Sequence, residues 1–98
     1  MKLQMHSIHF DADVKLLDFI QKRVDKLETF YDRFIDGEVF LRLDKDSQNE
    51  NKLVEIKLNI PGAQLFAKEK KDSFEAGVDD AVEALRRQIK KRKEKQIA

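Results

Sequence analysis

Ninety-eight residues, 41% apolar and 40% charged, are expected to make one domain, residues 1–98, whose modest core lies under a surface of Lys, Arg, Glu and Asp. The lack of cysteine excludes disulfides and thiolate metal sites, and no signal-peptide run or membrane-length apolar stretch is present, so a cytoplasmic location is expected. The net charge of +1 hides a segregation: residues 1–84 carry 13 basic and 18 acidic side chains, whereas residues 85–98 carry seven Lys or Arg against one acid, Glu94.

Residues 3–10 alternate weakly and are rich in strand formers, which predicts a first strand. Asp11-Ala12-Asp13 then offers a helix N-cap, because a short carboxylate accepts from the orphan amides of a first turn. From Val14 the apolar spacing is helical: Leu17, Ile20, Val24, Leu27 and Tyr31 recur at three- and four-residue steps. Leu16, Phe19 and Phe30 widen that face, and Asp36-Gly37 ends the unit.

Val39, Leu41 and Leu43 alternate with Phe40, Arg42 and Asp44, the period of a half-buried strand. The apolar-free tract 44–51 reads as a loop, and Val54, Ile56, Leu58 and Ile60 mark the next strand. Pro61-Gly62 predicts a tight turn, since Pro presets φ and Gly accepts a positive one. Ala63, Leu65 and Ala67 form one face of the last strand.

Asp72-Ser73 supplies a second N-cap, with Glu75 at capping-box spacing from Asp72. Phe74, Val78, Ala81, Val82, Leu85 and Ile89 make one helical stripe, within which Gly77 costs about 1 kcal/mol of propensity relative to Ala and is expected to permit close packing. The predicted order is β-α-β-β-β-α: an α+β fold, a four-stranded sheet with two helices packed on one face. Leu17, Ile20, Val24, Leu27, Val54, Ile56, Leu58, Val82, Leu85 and Ile89 are expected inside. Beyond Ile89 the stripe lapses until Ile97, so a basic helical end, about 86–98, should project with Arg92, Lys93 and Lys95 solvated.

A C-terminal dipole would be served by two or three cations; seven point to a polyanion. Arg86, Lys90 and Lys93 share one helical face and Arg87, Lys91 and Lys95 a neighbouring one, the footprint of a nucleic-acid binder. In the first helix Lys15, Lys22, Arg23 and Lys26 alternate with Asp18, Asp25 and Glu28, so an i,i+4 charge lattice explains most of that pattern. His6 and His9, three apart in a strand, point to opposite faces and make no metal site. The acid pairs Asp79-Asp80 and Asp44/Asp46 lack a nucleophile or a convergent third ligand, and no Gly-rich phosphate loop is present, so neither an enzyme nor a cofactor is expected. Phe40 and Phe66 sit opposite the core face, where packing against loops or a partner is a better account than base stacking.

Lys26-Leu27-Glu28-Thr29-Phe30-Tyr31-Asp32-Arg33 resembles the segment that ends the first helix of the ribosome hibernation promoting factor and ribosome-associated inhibitor family. Asp79, Leu85, Arg87-Gln88 and the lysines that follow resemble that family's second helix, and the likeness runs through essentially the whole chain. The resemblance implies a fold like a double-stranded-RNA-binding domain and a translation inhibitor of stationary phase or stress. It would bind the small ribosomal subunit in the mRNA and tRNA channel. By position it implies Arg23 and Lys26 of the first helix, and Arg87, Lys91 and Lys93 of the second, as rRNA contacts; Arg86 and Lys90 join them on charge alone. Ala84 departs from the Lys of some relatives. The chain looks like the family's short form, which leaves two outcomes: ribosome dimers made with an accessory dimerising factor, or blockade of single ribosomes. Neither a membrane nor a small-molecule substrate is expected. The other readings are a free-standing double-stranded-RNA binder and a protein-partner module that regulates transcription.

Overall fold

Alternating strands and three-to-four-spaced helices each have one apolar side, and the molecule hides them all in one cluster. The computed structural model describes residues 1–45 and 49–97, with side chains through residue 95. Asp46, one half of the Asp44/Asp46 pair and part of the expected loop, lies outside the described residues, as does the side chain of Ile97. Strand β1 is Leu3–Ile8; helix α1, Val14–Asp25, runs into a 3-10 turn, Lys26–Thr29. Strands β2 (Asp36–Leu43), β3 (Lys52–Ile60) and β4 (Ala63–Lys71) follow, then helix α2, Phe74–Ile97. The order is the β-α-β-β-β-α that the patterning predicts. The sheet is ordered β1-β2-β3-β4, with β1 parallel to β2 and the other pairs antiparallel. Only a crossover can join parallel neighbours, and α1 is that crossover.

One face of the sheet buries Val39, Leu41, Val54, Ile56, Leu58, Ile60, Leu65 and Ala67 against Ile20, Val24 and Leu27 of the first helical unit and Phe74, Val78, Ala81, Leu85 and Ile89 of α2. Leu17 and Val82, expected inside, are half-buried at the rim of this cluster. Leu85 is fully buried, so the register assigned to α2 holds.

Local expectations shift at four points. β1 stops at Ile8, because His9 turns into the left-handed region at φ 68° and the chain leaves the sheet. The long first helix ends at Asp25 and tightens into the 3-10 turn, where Phe30 and Tyr31 amides both reach the Leu27 carbonyl, at 3.0 and 3.2 Å. Asp36-Gly37 opens β2 instead of closing the helical unit. Gly37 is needed there because a Cβ would lie 2.6 Å from Leu58 Cδ2 and 2.8 Å from the Lys57 carbonyl. At α2 the cap is Ser73, whose Oγ accepts from the Ala76 amide at 3.1 Å, while Asp72 instead accepts from the Glu50 amide at 3.0 Å. With Ser73 as cap, Glu75 falls one position short of a capping box. Asp13 does cap α1, accepting from the Leu16 amide at 2.9 Å.

Gly77 sits where α2 crosses β3, and an added Cβ would lie 2.9 Å from Val54 Cγ2. Close approach is therefore its role. α2 helps to draw the molecule out to 46 Å along its longest axis. Arg92 is half-buried and only partly solvated, for it lies three residues after Ile89 and seven after Leu85, on the same stripe.

Candidate nucleic-acid interface

Helical spacing puts Arg86, Lys90 and Lys93 on the side of α2 that faces the first helical unit, and all three are exposed. Together with Arg87 they surround a cleft floored by Ile89 and walled by Phe30. The Arg86 guanidinium lies over the Phe30 ring, Cζ 4.7 Å from its centroid. Lys93 Nζ donates to the Phe30 carbonyl. Glu83 accepts from Arg86 at 3.4 Å and lies 3.9 Å from Arg87, exposed pairs that cost a polyanion little to displace. Lys90 and Lys91 are exposed and have no side-chain partner among the described residues. Lys91 lies on the neighbouring row of α2, about 100° round the helix from Lys90 and outside the cleft.

The first-helix cations are placed differently. Arg23 is half-buried, its Nε 3.3 Å from Asp79 Oδ1 on α2 and its guanidinium 4.8 Å from the Phe19 centroid. Asp79 precedes Arg86 by seven residues, about two turns, so Arg23 is held well up the helix from the cleft. Lys26 is exposed in the 3-10 turn. The charge lattice expected within α1 is not what forms. Asp25 and Glu28 instead hold the Met1 amine at 2.9 and 2.6 Å, which raises its pKa above the usual amino-terminal range, Glu28 contributing more than Asp25.

The structure thus gathers Arg86, Arg87, Lys90 and Lys93, and leaves Arg23, Lys26 and Lys91 outside that group. Phe30 is the member the sequence reading missed, having been assigned to the core-facing stripe. It is 42% exposed because the 3-10 turn advances the chain by about 120° per residue instead of 100° and turns residue 30 off that stripe. No signal at residue 30 itself announces this.

The remaining polar pairs are structural. Asp80 lies 3.2 Å from Lys71 and is the main cause of that lysine's raised pKa. Among the described residues no three His, Asp or Glu side chains come close enough to hold a metal ion. On the opposite sheet face His6 stacks on Phe40 at 4.7 Å and its Nε2 lies 3.1 Å from Glu38, while Lys57 covers the same ring at 5.3 Å. His9 lies beyond the end of that strand, so the two histidines do not share a sheet face.

Residues 3–97 match the family model described as Sigma 54 modulation protein / S30EA ribosomal protein. A ribosome hibernation promoting factor of Pseudomonas putida strain KT2440 is 28% identical over 96 residues, covering 98% of this chain and 90% of that protein. Among solved structures, a ribosomal subunit interface protein from Coxiella burnetii superposes with a TM-score of 0.84 at 22% identity, covering 95% of this chain and 98% of its own. The N-terminal domain of Thermus thermophilus Protein Y gives a TM-score of 0.81 at 22% identity, with 93% and 98% covered. Both share the α+β fold.

Proposed function

Since this chain belongs to the Sigma 54 modulation protein / S30EA ribosomal protein family, and a relative that spans nearly all of it is named a ribosome hibernation promoting factor, we infer that it is a ribosome hibernation factor. It associates with ribosomes and inhibits translation, work that belongs to the cytoplasm. Among the described residues no helix is long and apolar enough to cross a membrane.

The finer reading is a contact between α2 and the rRNA of the small subunit, in the channel that mRNA and tRNA would fill. The observation that supports it is the exposed grouping of Arg86, Arg87, Lys90 and Lys93, with Lys91 on the next flank and Glu94 the sole acid beyond Glu83. Lys and Arg displace counterions from structured RNA, which gives affinity without a chemical step. Translation stops because the protein occupies the channel. Inhibition ends when a competing ligand removes it.

The test is co-sedimentation with vacant small subunits, with thermal melts as a folding control. Replacing Arg87, Lys90, Lys91 and Lys93 together by Gln should abolish association and leave the melt intact, since none of the four is buried. Replacing Arg23 and Lys26 should weaken association less. Full binding by the folded α2 variant would move the contact to the sheet, around Arg42, Lys57 and Lys68.

A further inference from the structure

The cleft beside Phe30 differs from a plain basic surface, and the geometry points to a niche for one unpaired rRNA nucleotide, its base stacked on Phe30 and its flanking phosphates held by Lys90 and Lys93. This rests on the rRNA contact proposed above and adds what that contact recognises. A duplex-binding face needs only cations and hydroxyl-reaching groups, because the bases of an A-form helix are stacked away from the protein. This cleft instead exposes an aromatic ring inside a ring of cations, above the nearly buried Ile89.

Phe30 as a whole residue is 42% exposed, although the core cluster lies within a few residues of it in sequence. It is also held in place from two sides. Arg86 backs the ring with its guanidinium, and Lys93 fixes the backbone through the carbonyl. A ring restrained in this way loses little freedom when a base covers it. Lys93 donates one of its three N–H bonds to that carbonyl, which leaves two for phosphate oxygens. Lys90 has no side-chain partner among the described residues to give up. The occupant that matches an apolar face rimmed by cations is a nucleobase carried on its phosphate backbone, and stacking of this kind tolerates any base.

The experiment compares Phe30→Leu, which keeps apolar bulk without a π face, with Phe30→Tyr, which keeps the ring. Small-subunit affinity should fall about tenfold for the Leu variant, within the lower half of the range for one stacked base, and stay near wild type for Tyr. The logarithmic salt slope should be the same in all three, since no charge changes. A second arm uses an RNA hairpin with one bulged 2-aminopurine and the same hairpin fully paired. Wild type should bind the bulged form more tightly and quench its fluorescence, and Phe30→Leu should lose both effects.

Wild-type affinity in the Leu variant would overturn the niche, as would a loss that Tyr shares or equal affinity for bulged and paired hairpins. These results leave the rRNA contact standing if the α2 charge variant still loses the subunit. Full subunit binding by that charge variant would instead remove the contact on which the niche depends.

Discussion

Arg23 on α1 and Asp79 on α2 join the two helices of the interface, Nε to Oδ1 at 3.3 Å, with the guanidinium also lying against Phe19. The pair is half in solvent, so it contributes little to stability, about 0–1 kcal/mol for pairs of this kind. Its larger effect is electrostatic: it engages a cation of the proposed rRNA contact and leaves a carboxylate beside it.

Asp79→Asn should therefore tighten small-subunit binding a few-fold and steepen the salt dependence by about one logarithmic unit, with an unfolding midpoint close to wild type. Titration at several salt concentrations, beside a denaturant melt, measures both. An unchanged affinity would place Arg23 outside the contact surface.

Binding of the wild-type chain should weaken steeply with salt, and Lys90→Gln or Lys91→Gln should each reduce the logarithmic slope by about one. Because Lys90 borders the cleft and Lys91 lies on the neighbouring row outside it, equal effects would show that RNA reaches both rows. An effect of Lys90 alone would confine it to the Phe30 side. Salt-independent binding would defeat the electrostatic account.

Core truncation and core crowding should both be costly. Leu85→Ala removes a fully buried side chain beneath the sheet and should cost about 2–5 kcal/mol. Gly37→Ala forces a methyl against Leu58, Leu3 and the Lys57 carbonyl, all within 2.8 Å, and should cost about 1–3 kcal/mol. Gly77→Ala should cost less than Gly37→Ala, since the gain in helix propensity, about 1 kcal/mol, offsets its contact with one Val54 methyl. Urea denaturation of the three variants gives the order, and a Gly37→Ala variant as stable as wild type would contradict the packing described.

Ser73→Ala should lower stability by about 1 kcal/mol and leave the Ala76 amide open to hydrogen exchange. Asp72→Ala should leave that amide protected and expose the Glu50 amide instead. The reverse pattern by amide exchange would restore Asp72 as the cap.

What the chain determined by itself is its order of elements and the location of its charge. Period-two runs such as Val54-Ile56-Leu58 and the three- and four-step series through Leu85 and Ile89 are local patterns, and each commits its segment to one buried face whatever it meets. The cationic end is legible for the same reason, because Arg86 to Lys95 carry their charge in any conformation. Arg92 could have been placed too, by extending the stripe from Leu85 and Ile89. Tertiary structure decided which partner each group finds. Asp25 and Glu28 turn to the Met1 amine and not to the α1 cations, and Arg23 finds Asp79, more than fifty residues away. Gly37 is fixed by Leu3 and Leu58 on neighbouring strands. Phe30 leaves the core stripe because the helix tightens after Asp25, and it meets Arg86 only because α2 folds back beside that turn. Contacts of this kind depend on distances through space, which a spacing along the chain does not contain.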